Sequence, residues 1–116
     1  MNKLKKVLLL TKGNISITEF KKSFCRKFSN EIKKQLQKIG ATEYKQYNNY
    51  FYISAFFKFK NKCFYINTTD IRFSILDNLL IRECKDYNDF TGCHNNYIDF
   101  SDNSIIEFLN NYNFNN

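Results

Sequence analysis

The stretch from residue 44 to residue 67 constrains the fold most, because it has the pattern of two antiparallel strands. Apolar residues occupy every second position of its first half: Phe51, Ile53, Ala55, Phe57 and Phe59. Tyrosine and lysine dominate the positions between them: Tyr50, Tyr52, Ser54, Phe56, Lys58 and Lys60. A period of two is typical of a β-strand with one buried side. The pattern therefore predicts a core face and a second side, which we call the Tyr/Lys face.

The turn at residues 60–61 sets the register of this hairpin. A loop with an even number of residues centred there places Phe57 opposite Phe64 on the core face. The same register places Phe56 opposite Tyr65 on the Tyr/Lys face. A loop of three residues would reverse the faces, because the side chains of a strand alternate.

A long helix is predicted before the hairpin, over residues 16–40. Ser16 begins a Ser-Ile-Thr-Glu sequence with the spacing of a capping box, and Gly40 is a typical C-terminal stop. Six apolar residues recur at steps of three and four: Phe20, Phe24, Phe28, Ile32, Leu36 and Ile39. Such a stripe is typical of an amphipathic helix. We expect it to cover the core face of the hairpin.

The positive charge of the chain is concentrated in this N-terminal third. Residues 1–40 hold 11 Lys/Arg and 2 Asp/Glu, whereas residues 41–116 hold 7 and 9. A concentrated basic surface attracts nucleic acid or acidic proteins, although helix lysines also serve simply to keep a helix solvated. The candidate binding residues on the helix are Lys22, Arg26, Lys33 and Lys34.

The remaining segments complete a single domain, which suits a length of 116 residues. They are an N-terminal segment (1–15), an antiparallel sheet (42–84), a polar loop (85–100), and a C-terminal helix and tail (101–112) capped by Ser101 or Asp102. The order predicts an α+β fold in which the long N-terminal amphipathic helix packs on a three- to four-stranded antiparallel sheet, followed by a short C-terminal helix. The apolar run before Lys12 is too short for a membrane span or a signal peptide, so we expect a cytoplasmic protein.

Residues that commonly carry chemistry are sparse. Cys25, Cys63, Cys84 and Cys93 show no C-x-x-C spacing, and His94 is the single histidine. Structural zinc usually takes four ligands in close pairs, and a nucleophile and base rarely reach hydrogen-bond geometry as adjacent residues. Known nucleophile motifs and glycine-rich phosphate loops are also missing. We therefore expect free thiols, no catalytic residues, no metal or other cofactor, and no enzymatic activity.

Aromatic and basic side chains on a sheet can stack bases and contact phosphates, if the sheet is exposed. The candidates on the Tyr/Lys face are Tyr50, Tyr52, Phe56, Lys58, Lys60 and Tyr65. The same composition suits a protein interface. Both interpretations depend on whether residues 7–10 and the C-terminal helix cover this face. The α-β-β-β-α order is similar to that of double-stranded RNA-binding domains, but residues 102–111 lack the lysine of that family's last helix.

Five segments, residues 50–57, 64–67, 70–73, 80–82 and 89–97, resemble small uncharacterised proteins of phages and mobile elements from low-GC bacteria. The most specific part is the Asp-Phe-Thr-Gly sequence at residues 89–92 with Asn-Asn-Tyr at 95–97. Cys93 and His94 depart from the glycine and small polar residue expected there. The resemblance implies a protein that binds and inhibits a host defence nucleoprotein, such as an anti-CRISPR protein acting on a CRISPR effector in the bacterial host. The alternative is a stand-alone RNA- or DNA-binding domain that uses the basic helix and the Tyr/Lys face.

Overall fold

The computed structural model describes residues 2–87, 89–92 and 94–114, with the backbone alone described for residues 89–92. The helices are α1 (Lys3–Thr11), the long α2, the one-turn α3 (Ile71–Ser74) and α4 (Ser104–Asn110). Helix α2 runs without a break through Ile17–Glu19, a π-helical turn at Phe20–Phe24, and Cys25–Ile39. The strands are β1 (Thr42–Asn48), β2 (Ile53–Phe59), β3 (Lys62–Asn67), β4 (Leu79–Asp86), β5 (Asp89–Gly92) and β6 (Asn96–Ile98). The predicted α+β class is confirmed, and each described helix is too short or too polar to cross a membrane.

Helix α2 follows its predicted bounds closely. It begins after Ser16, whose Oγ accepts a hydrogen bond from the Glu19 amide at 3.1 Å, and it ends at Gly40 with a left-handed φ of 76°. Most of the predicted stripe is buried: Phe20, Phe24, Phe28, Ile32 and Leu36. A constant step of four drifts by about 40° per step on an α-helix. The wider π-helical turn at Phe20–Phe24 offsets part of this drift and keeps the stripe facing the core.

The sheet is antiparallel, with strand order β1-β2-β3-β4-β5, and β6 pairs with the first half of β4. The hairpin has the predicted register, since Phe57 opposes Phe64 and Phe56 opposes Tyr65. The two turn residues, 60 and 61, have φ of 51° and 65°. Positive φ at both central residues is typical of the type I′ turn, whose twist matches that of the flanking strands.

The prediction of a polar loop over residues 85–100 is wrong. Strand β4 continues to Asp86, and both β5 and β6 lie inside this stretch. These short strands pair along the edge of β4, where backbone hydrogen bonds can hold a polar segment that has no apolar alternation. In the described part of the chain the sheet therefore has six strands instead of three to four.

Strand β2 begins later than the alternation predicts. Tyr50, Phe51 and Tyr52 precede it, and Phe51 has a left-handed φ of 59°. The Phe51 carbonyl accepts a hydrogen bond from the Ile71 amide at 2.9 Å, and the Arg72 guanidinium lies 3.9 Å from the Phe51 ring centre. Contacts with α3 therefore hold this segment out of the strand, although its sequence continues the pattern.

The main core lies on one side of the sheet. Leu8 of α1, Phe28 of α2 and Ile105 of α4 belong to the same buried cluster as Phe57 and Phe64 of the core face. Helices α1 and α4 thus pack on the core face together with α2. Helix α4 takes Asn103 as its N-cap residue instead of the predicted Ser101 or Asp102.

The opposite side of the sheet, the Tyr/Lys face, carries a second and smaller cluster. It is built on Phe56, Cys63 and Cys84, with Tyr65 and Tyr87 packed against it. Since α1, α2 and α4 occupy the other side, they do not cover the Tyr/Lys face, where Tyr47 and Tyr97 are exposed and Phe56 is buried among its neighbours. Among the described residues, neither residues 7–10 nor the C-terminal helix covers the Tyr/Lys face, which was the condition for a binding role.

Candidate binding surface on the Tyr/Lys face

Residues of the Tyr/Lys face form rows across the strands, because each strand pairs in register with the next. One row consists of Tyr47, Ser54, Asn67, Leu80 and Tyr97, each the direct partner of its neighbour. Strands lie about 4.8 Å apart, so the two ends of this row are separated by roughly 19 Å. Tyr47 is 48% exposed and Tyr97 is 61% exposed. We call this the tyrosine row: two exposed rings flank a floor of smaller side chains.

The next row places cations over aromatic rings. It consists of Lys45, Phe56, Tyr65 and Arg82, again in direct register. The Arg82 guanidinium lies 5.2 Å from the Tyr65 ring centre, and Lys45 Nζ lies 4.6 Å from that of Tyr87. Both distances are within the range of cation–π interactions. The row thus holds positive charge next to the exposed tyrosines.

Phe56 supports the centre of this surface. Its side chain is 5% exposed, and three tyrosine rings surround it. The ring centres of Tyr47, Tyr65 and Tyr87 lie 6.1, 5.1 and 5.6 Å from that of Phe56. Edge-to-face and tilted contacts at these distances are favourable, so the tyrosines are held in defined positions.

Tyr87 closes one end of the surface. Its hydroxyl donates a hydrogen bond to the backbone carbonyl of Glu43. Burial, with a smaller effect from the nearby Glu43 carboxylate, raises the pKa of Tyr87 to about 12. The hydroxyl is therefore a neutral donor at physiological pH and adds no negative charge to the face.

A third row contains Lys58, Cys63 and Cys84 and reaches the backbone of Gly92 in β5. Lys58 Nζ forms an ion pair with the Glu43 carboxylate at 3.4 Å, with both side chains about half exposed. Exposed pairs of this kind are weak and give way readily to a stronger anionic ligand. The two thiols are buried at the centre of the row.

The structure brings three of the predicted site residues together on the Tyr/Lys face, namely Phe56, Lys58 and Tyr65. Phe56 is buried beneath the tyrosine rings, so it supports the surface and is not the exposed contact residue that the alternation predicted. Tyr50 instead packs edge-on against Phe51, with ring centres 4.7 Å apart. It also lies beside Arg72 of α3. Tyr50 therefore belongs to a separate surface, contrary to the single face that the alternation predicted.

Tyr52 and Lys60 also lie at the margins. Tyr52 is exposed and precedes β2. Lys60 is in the hairpin turn, where its Nζ lies 4.9 Å from the ring centre of Phe114. Because Phe114 packs against the main core, Lys60 is drawn toward the core face.

The four predicted helix residues lie on α2 and not on the Tyr/Lys face. Lys22, Arg26, Lys33 and Lys34 are all exposed on α2. The apolar stripe of α2 packs on the core face, so these cations lie across the sheet from the tyrosine row. We call them the basic helix surface.

Several residues of the surface were not among the candidates from the sequence. Lys45 and Tyr47 alternate along β1, which is a usable signal once that strand is placed. Arg82 and Tyr97 join the surface only through the pairing of β4 with β3 and β6. Local sequence carries no signal for those long-range pairings.

The structure describes His94 but not its neighbour Cys93. His94 is exposed, and its backbone carbonyl accepts a hydrogen bond from Asn96 Nδ2 at 3.2 Å. Cys93, its predicted neighbour in the discarded nucleophile pair, lies outside the described residues. Within the described ranges, no group of three or more His, Cys, Asp or Glu side chains is placed to hold a metal ion.

Comparison with family models, with curated proteins and with solved structures gives no match to this chain. The class of the protein therefore follows from its own geometry. It is a small α+β domain whose helices cover one face of a sheet that has six strands in the described residues, and the other face presents tyrosines and cations in rows.

Proposed function

We propose that this protein is a non-enzymatic binding protein whose Tyr/Lys face contacts single-stranded RNA or DNA. The observation that carries the proposal is the tyrosine row, with exposed Tyr47 and Tyr97 at its ends. Every base has a flat ring face, so exposed aromatic side chains bind single strands without reading a particular sequence.

The cations beside the tyrosine row provide positive charge for the phosphates of a bound strand. Lys45 and Arg82 lie in the row next to the tyrosine row, and Lys58 lies in the row after that one. A strand that stacks its bases on the tyrosines turns its phosphates toward the rim, where these side chains supply positive charge. The Arg82 guanidinium lies 5.2 Å from the ring centre of Tyr65, so a cation and an aromatic ring are adjacent at this point of the surface.

In the setting that the sequence resemblance implies, the nucleic acid belongs to a host defence nucleoprotein such as a CRISPR effector in the bacterial cytoplasm. The protein then inhibits that complex by occupying its guide RNA or its displaced DNA strand. The pairing of a basic protein with exposed nucleic acid is electrostatically favourable, whereas a basic inhibitor is poorly suited to fill a basic nucleic-acid channel.

A titration of the purified protein against labelled single-stranded RNA, single-stranded DNA and duplex DNA tests the binding step. We expect both single strands to bind, with affinity falling steeply between about 50 and 200 mM salt. We expect the duplex to bind more weakly, because its bases are stacked on one another and are not available to tyrosine. Absence of single-strand binding at low salt would contradict the proposal.

A pull-down from host lysate, with and without nuclease, tests the inhibitory role. If the protein acts through a guide or target strand, nuclease treatment releases the captured complex. Capture that persists after nuclease assigns the contact to the partner protein. The variants Cys93→Ala and His94→Ala test the non-enzymatic assignment, since we expect both to inhibit as the parent does.

A further inference from the structure

Two thiols face each other in the third row of the Tyr/Lys face. Cys63 of β3 and Cys84 of β4 are direct cross-strand partners. Their Sγ atoms are 3.1 Å apart, with the thiol of Cys84 donating to the sulfur of Cys63. Both belong to the small cluster of this face and are 5% and 6% exposed. The third described cysteine, Cys25, lies in the main core on the opposite side of the sheet.

The backbone already satisfies the geometry of a disulfide. Residues directly opposite each other in antiparallel strands have Cα atoms about 4.5–5.5 Å apart, and disulfides span Cα separations of about 4.4–6.8 Å. Both side chains project from the same face of the sheet, so their Cβ atoms point in one direction. The sulfur atoms need to approach by only about 1 Å to reach bonding distance.

We propose that Cys63 and Cys84 form a reversible disulfide that ties β3 to β4. The oxidant is a low-molecular-weight disulfide such as oxidised glutathione. One cysteine, as its thiolate, attacks a sulfur of the oxidant and releases one glutathione thiolate, which leaves a mixed disulfide. The second cysteine then attacks the protein sulfur of that mixed disulfide and releases the second glutathione. Each protein thiol loses a proton, and the two electrons pass to the oxidant, which becomes two glutathione thiols.

The surroundings of the pair make this exchange slow at neutral pH. Burial raises the pKa of both thiols, while the hydrogen bond between them lowers the pKa of Cys63 and raises that of Cys84. Asp86 acts in the same direction as burial on each. Lys58 opposes this effect at Cys63, and Arg82 opposes it at Cys84. Because only the thiolate attacks, we expect the buried pair to oxidise more slowly than an exposed thiol of ordinary pKa. This inference stands apart from the proposed binding function, since it concerns the covalent state of the sheet alone.

The test is incubation of the full reduced chain with oxidised glutathione, followed by intact mass and peptide mapping. We expect the mass to fall by two hydrogen atoms and the mapped bridge to join Cys63 to Cys84. Dithiothreitol should restore the original mass. A bridge to Cys25 or Cys93, or a product that stops at glutathione mixed disulfides, would overturn the proposal.

Matched variants and a thermal melt give a second measurement. Cys25→Ser should keep the intramolecular product, whereas Cys63→Ser and Cys84→Ser should lose it. The oxidised parent should melt at least about 5 °C above the reduced parent, because the bridge closes a long loop between β3 and β4. Equal melting temperatures for the two forms of the parent would contradict the proposed tie between the strands.

Discussion

Gln35 caps the C-terminal helix at Ile105. Gln35 Oε1 accepts a hydrogen bond from the Ile105 amide at 2.8 Å, while Nε2 donates to the Ser101 carbonyl at 2.9 Å. The first amides of a helix have no partner within it, so α2 supplies one from its own side chain. This contact fixes α4 on the core face, and it thereby leaves the Tyr/Lys face to solvent.

Removing the cap should lower stability. Gln35 is 1% exposed, so Gln35→Ala leaves the Ile105 amide without its partner in a buried place. We expect a loss of about 1–3 kcal/mol in the free energy of unfolding, measured by urea denaturation. Gln37→Ala on the exposed side of the same helix is the control, with a change within about 0.5 kcal/mol. Equal losses for the two variants would contradict the capping role.

Two glycines with similar backbone angles should respond differently to alanine. Gly13 and Gly40 have φ of 74° and 76°. A Cβ at Gly13 would lie 2.0 Å from the backbone oxygen of Arg72, whereas one at Gly40 meets nothing within 4 Å. Gly40→Ala should therefore lower the free energy of unfolding only by the strain of a left-handed backbone at alanine, about 1–2 kcal/mol. Gly13→Ala should cost clearly more in the same denaturation experiment, and similar costs would show that the turn can move away from α3.

The ion pair between Asp70 and Arg72 should make stability depend on pH. Arg72 Nη2 lies 2.6 Å from Asp70 Oδ2, and its hydrogen bond to the carboxylate holds the pKa of Asp70 below its usual value. Because the pKa of Asp70 is lower in the folded state, its ionised carboxylate stabilises the fold at pH values above the unfolded-state pKa of about 4. This stabilisation is lost as the pH falls through the folded-state pKa. Asp70→Asn keeps a cap oxygen for α3 but loses the ion pair. The variant should be less stable than the parent at pH 7 and equal to it in strong acid. A difference in the free energy of unfolding between the variant and the parent that stays constant with pH would contradict this.

Salt dependence should separate the two basic surfaces. Each phosphate contact contributes about 0.7 to the slope of log K against log salt for a single strand. Lys45→Gln and Lys58→Gln should each lower the slope by about that amount if the strand lies on the Tyr/Lys face. Lys33→Gln and Lys34→Gln on α2 are the controls and should leave the slope unchanged. The reverse pattern would place the phosphates on the basic helix surface.

The parts of the fold that depend on local pattern were predictable. The two-residue turn after Phe59 fixed the pairing of Phe57 with Phe64, and Gly40 ended α2 where its lack of a side chain permits left-handed backbone. The segment before Ile53 was not predictable. Its alternation continues, but the Ile71 amide and the Arg72 guanidinium hold Phe51 out of the strand. That contact comes from about 20 residues along the chain, and no local pattern encodes it.

The candidate surface was predictable only in its centre. Phe56, Lys58 and Tyr65 were found because they alternate along one hairpin. The ends of the tyrosine row, Tyr47 and Tyr97, are set by the registers of five strands together. Strand β6 has no apolar alternation and is held by its pairing with β4, so its sequence resembles a loop.

The most direct test of the account compares three exposed tyrosines. Tyr47 and Tyr97 end the tyrosine row, whereas Tyr50 lies on the separate surface beside Arg72. Tyr50 is a close match to Tyr47, because each ring makes an edge contact with a buried phenylalanine, Phe51 or Phe56.

The measurement is the Kd of each alanine variant for a labelled single-stranded RNA and DNA. Tyr47→Ala and Tyr97→Ala should each lose about 1–3 kcal/mol of binding free energy, or roughly 5- to 150-fold in Kd. Tyr50→Ala should bind within about twofold of the parent. If Tyr50→Ala weakens binding as much as the other two, or if all three bind like the parent, the Tyr/Lys face is not the nucleic-acid site.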